Sequence, residues 1–353
     1  MQLNSNSNSN VNNNRNNYIL IIMIALILVV VTLGVFLIVL GLFDATSAAQ
    51  IDNNAHNPAP TNVSDIEGTS DSGDEHEIVR EDTASPDTSP PLIISDYTIV
   101  RLREPDISRG NLILINNDHF FESPDVIYLV NIAEKNTSSY RVSRDEILLA
   151  ASIVEPLNAM MDAFYAVTGS NSVSVISGYR SHARQREVLD DHIARMGEPE
   201  ARRWAALPGH SEHHSGLAVD FGFYSYGVLR TFLGTGPTAW FSQNSHNFGF
   251  ILRYPENKTA ITQTAHEPWH FRYVGNPHAT IMHQNSWVLE EYIEHLMNYS
   301  VDEPFIVMLE NGTYKIYEIY FSADLEKQIP HVGGISISGN NINGFIVTIR
   351  RYA

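Results

Sequence analysis

The chain has 353 residues, enough for one large domain or two smaller ones with appendages, and a hydrophobic share of 43% supplies a core. Its formal charge of −18 argues against a nucleic-acid partner, which needs a concentrated basic surface. With no cysteine there is no disulfide, no thiolate metal site and no cysteine nucleophile, so a bound metal must be held by His, Asp or Glu.

Residues 1–17 are rich in Asn and Ser without periodicity and read as a disordered cytoplasmic tail. The run Tyr18–Phe43 carries no charge. As a helix it would extend roughly 39 Å, more than the ~30 Å hydrocarbon layer, so it is expected to be a transmembrane anchor. A cleaved signal peptide is the competing reading, with Ser47-Ala48-Ala49 as the cleavage site, but its apolar region would be only about 7–15 residues long. Arg15 before the run and Asp44 and Asp52 after it place the N-terminus in the cytoplasm and the remainder outside the cell. Residues 44–95 are acidic, Ser/Thr/Pro-rich and poor in apolar side chains, the composition of a disordered linker.

From residue 96 the composition is that of a folded domain, expected over 96–299 and followed by a β-rich appendage over 300–353. Asn111–Asn116 and Asp125–Ile132 are predicted strands. Ser143 and Glu146 form a capping box, predicting a helix from there to about Val167. A β-branched run at Val173–Ile176 leads into Ser177-Gly-Tyr-Arg-Ser181, with helices predicted over Ser181–Met196 and Glu198–Ala206. Pro208-Gly209 breaks the chain ahead of the stretch HSEHHSGLAVD, His210–Asp220. Leu217, Val219 and Phe221 alternate with Asp220 and predict a strand that puts Asp220 on the opposite face. A helical segment near Trp240–Phe248, extended segments at Gly249–Tyr254 and Glu267–Gly275, and a helix at Trp287–Met297 follow. Strands and helices mix without regular βαβ alternation, so the predicted class is α+β.

A catalytic zinc takes three protein ligands and keeps one open position, which here means a His/His/carboxylate set. His266-Glu-Pro-Trp-His270 satisfies the string H-E-x-x-H, which on a helix puts two histidines on one face. Pro268 would break such a helix, and Phe271–Val274 continue as β-like sequence, so the helical motif is rejected. A bend at Pro268 can still let Glu267 and His270 converge on one centre. His213 and Asp220 are possible partners across a turn at Gly216, although a His and an Asp seven residues apart are common by chance.

Taken together, Ser211-x-His213-x-x-Gly216-x-Ala218-x-Asp220, Glu267-x-x-His270, SGYRS with Gln185, GFILRYP and EPWHFRYVG resemble the VanY-type zinc D-alanyl-D-alanine carboxypeptidase family. The resemblance covers roughly Asn111 to Met297. It implies a Hedgehog/DD-peptidase-like fold with a small antiparallel sheet flanked by helices, and a Zn²⁺ ion held by His213, Asp220 and His270. It makes Glu267 the general base and Arg180 the group that meets the scissile carbonyl or the substrate carboxylate. Gln185 and Ser211 fall at substrate-contacting positions, whereas His210, His214 and His266 fall at variable ones and are not expected to be ligands. The implied substrate is a peptidoglycan stem peptide ending in D-Ala-D-Ala. An L,D-carboxypeptidase or a peptidoglycan endopeptidase would share these ligands, and a non-catalytic wall-binding module could share the fold.

Overall fold

Leu157, Met160, Met161 and Phe164 recur at three- and four-residue intervals, and they form the buried face of a helix over Val154–Thr168 (α1). Gly169 ends it in the left-handed conformation that an L side chain resists. In the computed structural model, which describes residues 97–122, 127–310, 314–330 and 334–351, the strands are β1 (Tyr97–Arg101), β2 (Leu129–Asn131), β3 (Arg141–Val142), β4 (Leu148–Ala150), β5 (Val173–Ser177), β6 (Ala218–Ser225), β7 (Val228–Thr231), β8 (Phe250–Tyr254) and β9 (Glu267–Tyr273). The C-terminal strands are β10 (Phe305–Glu310), β11 (Tyr314–Ser322), β12 (Glu326–Pro330), β13 (Gly334–Gly339) and β14 (Phe345–Arg351). After α1 come α2 (His182–Met196), α3 (Glu198–Ala201), α4 (Ala239–Asn244), α5 (Thr259–Thr262), α6 (His278–Asn285) and α7 (Leu289–Leu296). The expected tail, anchor and linker lie outside the described residues. Among the described ones, no helix is long and apolar enough to cross a membrane.

The central sheet runs β3-β5-β6-β9-β8, with β7 paired to β6. The mixed α+β class is as expected, but the sheet is not purely antiparallel. β3 pairs with β5 in parallel, made possible by the long crossover through β4 and α1. One face of the sheet is apolar: Val173, Val175, Val219, Phe221, Phe250 and Phe271 pack against Ile153, Leu157, Met160, Met161 and Phe164. Alternation then sends Asp220, His270, Arg253 and Arg272 to the other face.

The predicted helix beginning at the Ser143–Glu146 capping box is corrected. Ile147 and Leu149 are buried, β4 pairs with β2 across Leu148–Ala150, and α1 starts only at Val154. Tertiary burial outweighs the local capping signature, which is worth about 1 kcal/mol. The expected strand at Asn111–Asn116 is also absent. Leu112–Ile115 are buried as irregular chain, and their neighbouring carbonyls accept hydrogen bonds from a buried arginine. The second expected strand shortens to β2 and a 3₁₀ turn at Ile132–Glu134.

The C-terminal strands form a four-stranded antiparallel sheet in the order β10-β11-β14-β13. This sheet shares a hydrophobic core with what precedes it: Leu309, Ile319 and Ile346 join Leu112, Leu114, Ile251, Val274 and the apolar faces of α6 and α7. The remaining strand, β12, pairs antiparallel with β1 over five residue pairs. The described residues from 300 to 351 are therefore packed into the same compact unit as those from 97 onward. Ile319 is fully buried in the shared core. Ile319→Ala is expected to lower the unfolding free energy by about 2–5 kcal/mol. Denaturant unfolding should show the central sheet and its helices melting with the C-terminal sheet in a single transition. An unchanged midpoint, or a separate early transition, would contradict a common core.

Candidate metal centre

The site is built by register. β6 and β9 pair so that Asp220 stands directly opposite His270, with both side chains on the polar face. His213 arrives from a 3₁₀ turn at Glu212–Ser215, closed by Gly216 at φ 71°; a Cβ there would press on Leu129 and the backbone of Ala150. The turn is tied to the chain after β5 by a hydrogen bond from Arg180 N to the His213 carbonyl, 3.0 Å. His213 Nε2 lies 3.2 Å from Asp220 Oδ2, and His270 Nδ1 lies 3.1 Å from Asp220 Oδ1. These three donor atoms lie within 4.8 Å of one another, and they form the one candidate metal cluster of three or more side chains among the described residues.

Glu267 and His270 are three apart, so in a regular strand they would face opposite ways. The β8–β9 ladder is irregular between them. Leu252 pairs with Phe271 and Tyr254 with Glu267, so two steps along β8 oppose four along β9. The bulge contains Pro268, a residue that strands accept at such irregularities. Strict alternation does not hold through it, and Glu267 Oε2 lies 3.7 Å from His270 Nδ1. A second irregularity, between Val175 and Ser177, sets Ser177 beside Asp220.

The proton positions follow from the partners. His213 Nδ1 is 2.7 Å from the Gly178 carbonyl, which can only accept, so Nδ1 carries the hydrogen and the Nε2 lone pair faces Asp220. His270 Nε2 is 3.2 Å from Glu212 Oε2, leaving Nδ1 to face Asp220. Asp220 Oδ1 is buried without a hydrogen-bond partner. The His213 Nε2 lone pair, His270 Nδ1 and the Asp220 carboxylate thus converge as two imidazole nitrogens and one carboxylate, a donor set that fits a metal ion. Burial works against charging His270, but the carboxylates of Asp220 and Glu212 outweigh it and hold its pKa at about 9. Burial, with the Arg180 charge beside it, lowers that of His213.

Burial likewise pushes the Glu267 carboxyl up, to about 8, with Asp220 adding to the shift against the pull of His270 and Arg180. A proton acceptor poised near neutrality is what general base catalysis favours. Arg180 Nη2 is 3.7 Å from Asp220 Oδ2 and donates to Ser177 Oγ at 2.9 Å. Its Nη1 donates to Gln185 Oε1 at 2.8 Å. These residues line a cleft of about 190 Å³ with Ser211, Asn116, His210, Trp204 and Trp269 on its walls. The two tryptophan rings lie parallel within 18°, 6.4 Å apart.

All seven predicted site residues line this cleft, Ser211 with only 6% of its surface exposed. Gln185 is the most enclosed of them. It is 1% exposed, and its amide bridges the Arg180 guanidinium and the Ala206 carbonyl, a placement suited to holding the arginine. Gln185→Leu should release the guanidinium and lower kcat/KM by up to about 10²-fold, the cost of a misplaced group. A kinetic comparison with unchanged activity would remove this role.

His214 uses both ring nitrogens inside the protein. Its ring accepts from Gly209 N and hydrogen-bonds the Arg180 carbonyl, and burial lowers its pKa to about 4. It is a neutral latch between two loops and has no nitrogen left for a metal. His210 and His266 bond the Asn116 and Tyr254 carbonyls.

Glu212, Arg253 and Arg272 were missed by the sequence reading. All three are fully buried. Glu212 Oε1 accepts from Arg253 Nε at 2.7 Å and from Arg272 Nη1 at 2.8 Å. Arg253 also grips Glu290 with both terminal nitrogens, at 2.9 and 2.6 Å. The available signal was an arginine at an inward position of each strand, in GFILRYP and EPWHFRYVG; a buried arginine requires a carboxylate.

The model of the VanY D-alanyl-D-alanine carboxypeptidase family matches residues 146–276. A D-alanyl-D-alanine carboxypeptidase from Enterococcus faecium is 35% identical over 255 residues, covering 70% of this chain and 78% of that protein. The bifunctional D-Ala-D-Ala dipeptidase and D-Ala-D-Ala carboxypeptidase VanXYC from Enterococcus gallinarum is 39% identical over 128 residues, 35% of this chain and 67% of that one. Among solved structures, the vancomycin-resistance D,D-dipeptidase VanXYg, in complex with a D-Ala-D-Ala phosphinate analog, superposes with a TM-score of 0.65. It is 34% identical and covers 72% of this chain and 99% of its own. With the same fold, and with relatives matched over most of their length, the chain belongs to the VanY-type D-alanyl-D-alanine carboxypeptidase family.

Proposed function

We infer that the protein is a zinc-dependent D-alanyl-D-alanine carboxypeptidase that removes the terminal D-Ala from peptidoglycan stem peptides. The observation that carries this reading is the convergence of His213 and His270 ring nitrogens on Asp220, with Glu267 and Arg180 lining the same cleft. His213, Asp220 and His270 would hold the zinc, which when bound supplies Lewis acidity and brings water toward ionisation at neutral pH. Glu267 accepts the proton of the attacking water and passes it to the departing D-Ala nitrogen. Arg180, fixed by Gln185 and Ser177, presents its fork to the terminal carboxylate or to the oxygen that gains charge as the amide carbon becomes tetrahedral. The buried walls keep bulk water from screening these charges.

The test is a digest of a purified stem pentapeptide ending in D-Ala-D-Ala, read by mass. Loss of a single alanine, abolished by a chelator and restored by zinc, is expected. Cleavage only of a tetrapeptide to a tripeptide would reassign the enzyme to L,D specificity, and no cleavage of either would overturn the reading.

The proposal extends to location. The uncharged run Tyr18–Phe43 and the acidic stretch 44–95 support a single-pass anchor and a spacer, with the folded unit outside the cell where the substrate lies. Membrane fractionation followed by protease treatment of intact cells should degrade the folded unit while leaving it membrane-associated beforehand; a soluble cytoplasmic pool would oppose it.

A further inference from the structure

The two histidines of the metal centre meet it with opposite nitrogens, His213 through Nε2 and His270 through Nδ1. Each needs its other nitrogen protonated, and each has a different device for this. Behind His213 stands a backbone carbonyl, Gly178 O. Behind His270 stands a full charge, the carboxylate of Glu212, which has no exposed surface at all. Such a carboxylate is expensive to bury without cations, and two arginines on neighbouring strands serve it. Arg253 and Arg272 both donate to Oε1, leaving Oε2 free for the imidazole.

We propose that Glu212 is a positioning residue for zinc: it accepts the Nε2 hydrogen of His270, so that the ring cannot adopt the tautomer that would turn an N–H toward the metal. The inference rests on the metal-site reading above. Its chemistry distinguishes it from a merely structural ion pair. In Glu212→Gln, the two arginine donors compel the amide oxygen to face them, which turns the NH₂ toward His270. Nε2 must then accept, and the hydrogen moves to Nδ1, where the metal should be. The isosteric change is therefore expected to weaken zinc binding by about 10–100-fold, the range for outer partners of metal ligands.

Glu290→Gln supplies the comparison, since Glu290 binds Arg253 and Asn116 without touching His270. Both substitutions weaken the buried ion network and should lower the melting temperature. Only Glu212→Gln should lower zinc affinity, measured on the full chain by competition with a chromogenic chelator. Equal zinc affinities in the two variants would overturn the proposal.

A second measurement needs no variant at position 212 to fold. In the zinc-loaded wild-type chain with ¹⁵N-labelled histidine, His270 should keep its hydrogen on Nε2 and His213 on Nδ1, the signals assigned through His270→Gln and His213→Gln. A hydrogen on His270 Nδ1 would sink this inference alone. Failure of the wild-type chain to take up zinc would sink the metal site itself, and with it the role of Glu212.

Discussion

Glu267→Gln should take up zinc at the wild-type stoichiometry and lose hydrolysis by about 10²–10⁴-fold, the contribution of positioned proton transfer. Glu267 stands outside the three-residue cluster, and its Oε2 faces His270 Nδ1 from 3.7 Å, so the cluster survives its replacement. The amide keeps the shape of the side chain but cannot take a proton from water. Misfolding can be separated from this effect. Burial raises the carboxyl from its ordinary 4.5 to about 8, so in the metal-free protein its ionisation costs native-state stability as pH rises through that window. The neutral glutamine escapes this cost, and metal-free Glu267→Gln should melt no lower than wild type at pH 7. Retained hydrolysis in a folded, zinc-loaded variant would remove Glu267 as the base.

His213→Ala has the largest expected effect on the metal itself. It deletes one of three donors and leaves Asp220 Oδ2 without its nearest nitrogen, 3.2 Å away. Zinc affinity should fall more than 100-fold, beyond the about 10–100-fold contributed by outer partners, and activity should vanish with it. His210→Ala, which removes a ring bonded to the Asn116 carbonyl, should keep its zinc. Metal analysis of the two purified variants distinguishes them, and the reverse pattern would reassign the ligand.

Much of this site was legible because its pieces are local. Ser181 caps α2 through its hydroxyl, as the sequence after SGYR implies. The alternation of Leu217, Val219 and Phe221 around Asp220 correctly gave the face on which the carboxylate sits. Pro268 excluded the helical reading of HEPWH, and the strand β9 occupies that stretch. What stayed hidden was set by separation along the chain. Glu212 meets Arg253 and Arg272 at distances of 41 and 60 residues in sequence, and no local pattern marks such a partnership. In HSEHHS nothing local sets this buried carboxylate apart from a solvated one. The same limit explains the C-terminal region. Strands such as β11 and β14 alternate clearly, but their sharing of a core with α6 and α7 depends on the far-off Leu112, Leu114 and Ile251.

The bulge in β9 separates two properties that are easily treated as one. The pairing of Asp220 with His270 belongs to the regular part of the ladder. Glu267 instead sits where the ladder is irregular, next to a proline that has no N–H to give to the pairing. The metal-facing pair is therefore fixed by backbone pairing, while the carboxylate beside it depends on a local departure from that pairing, so the two can vary independently.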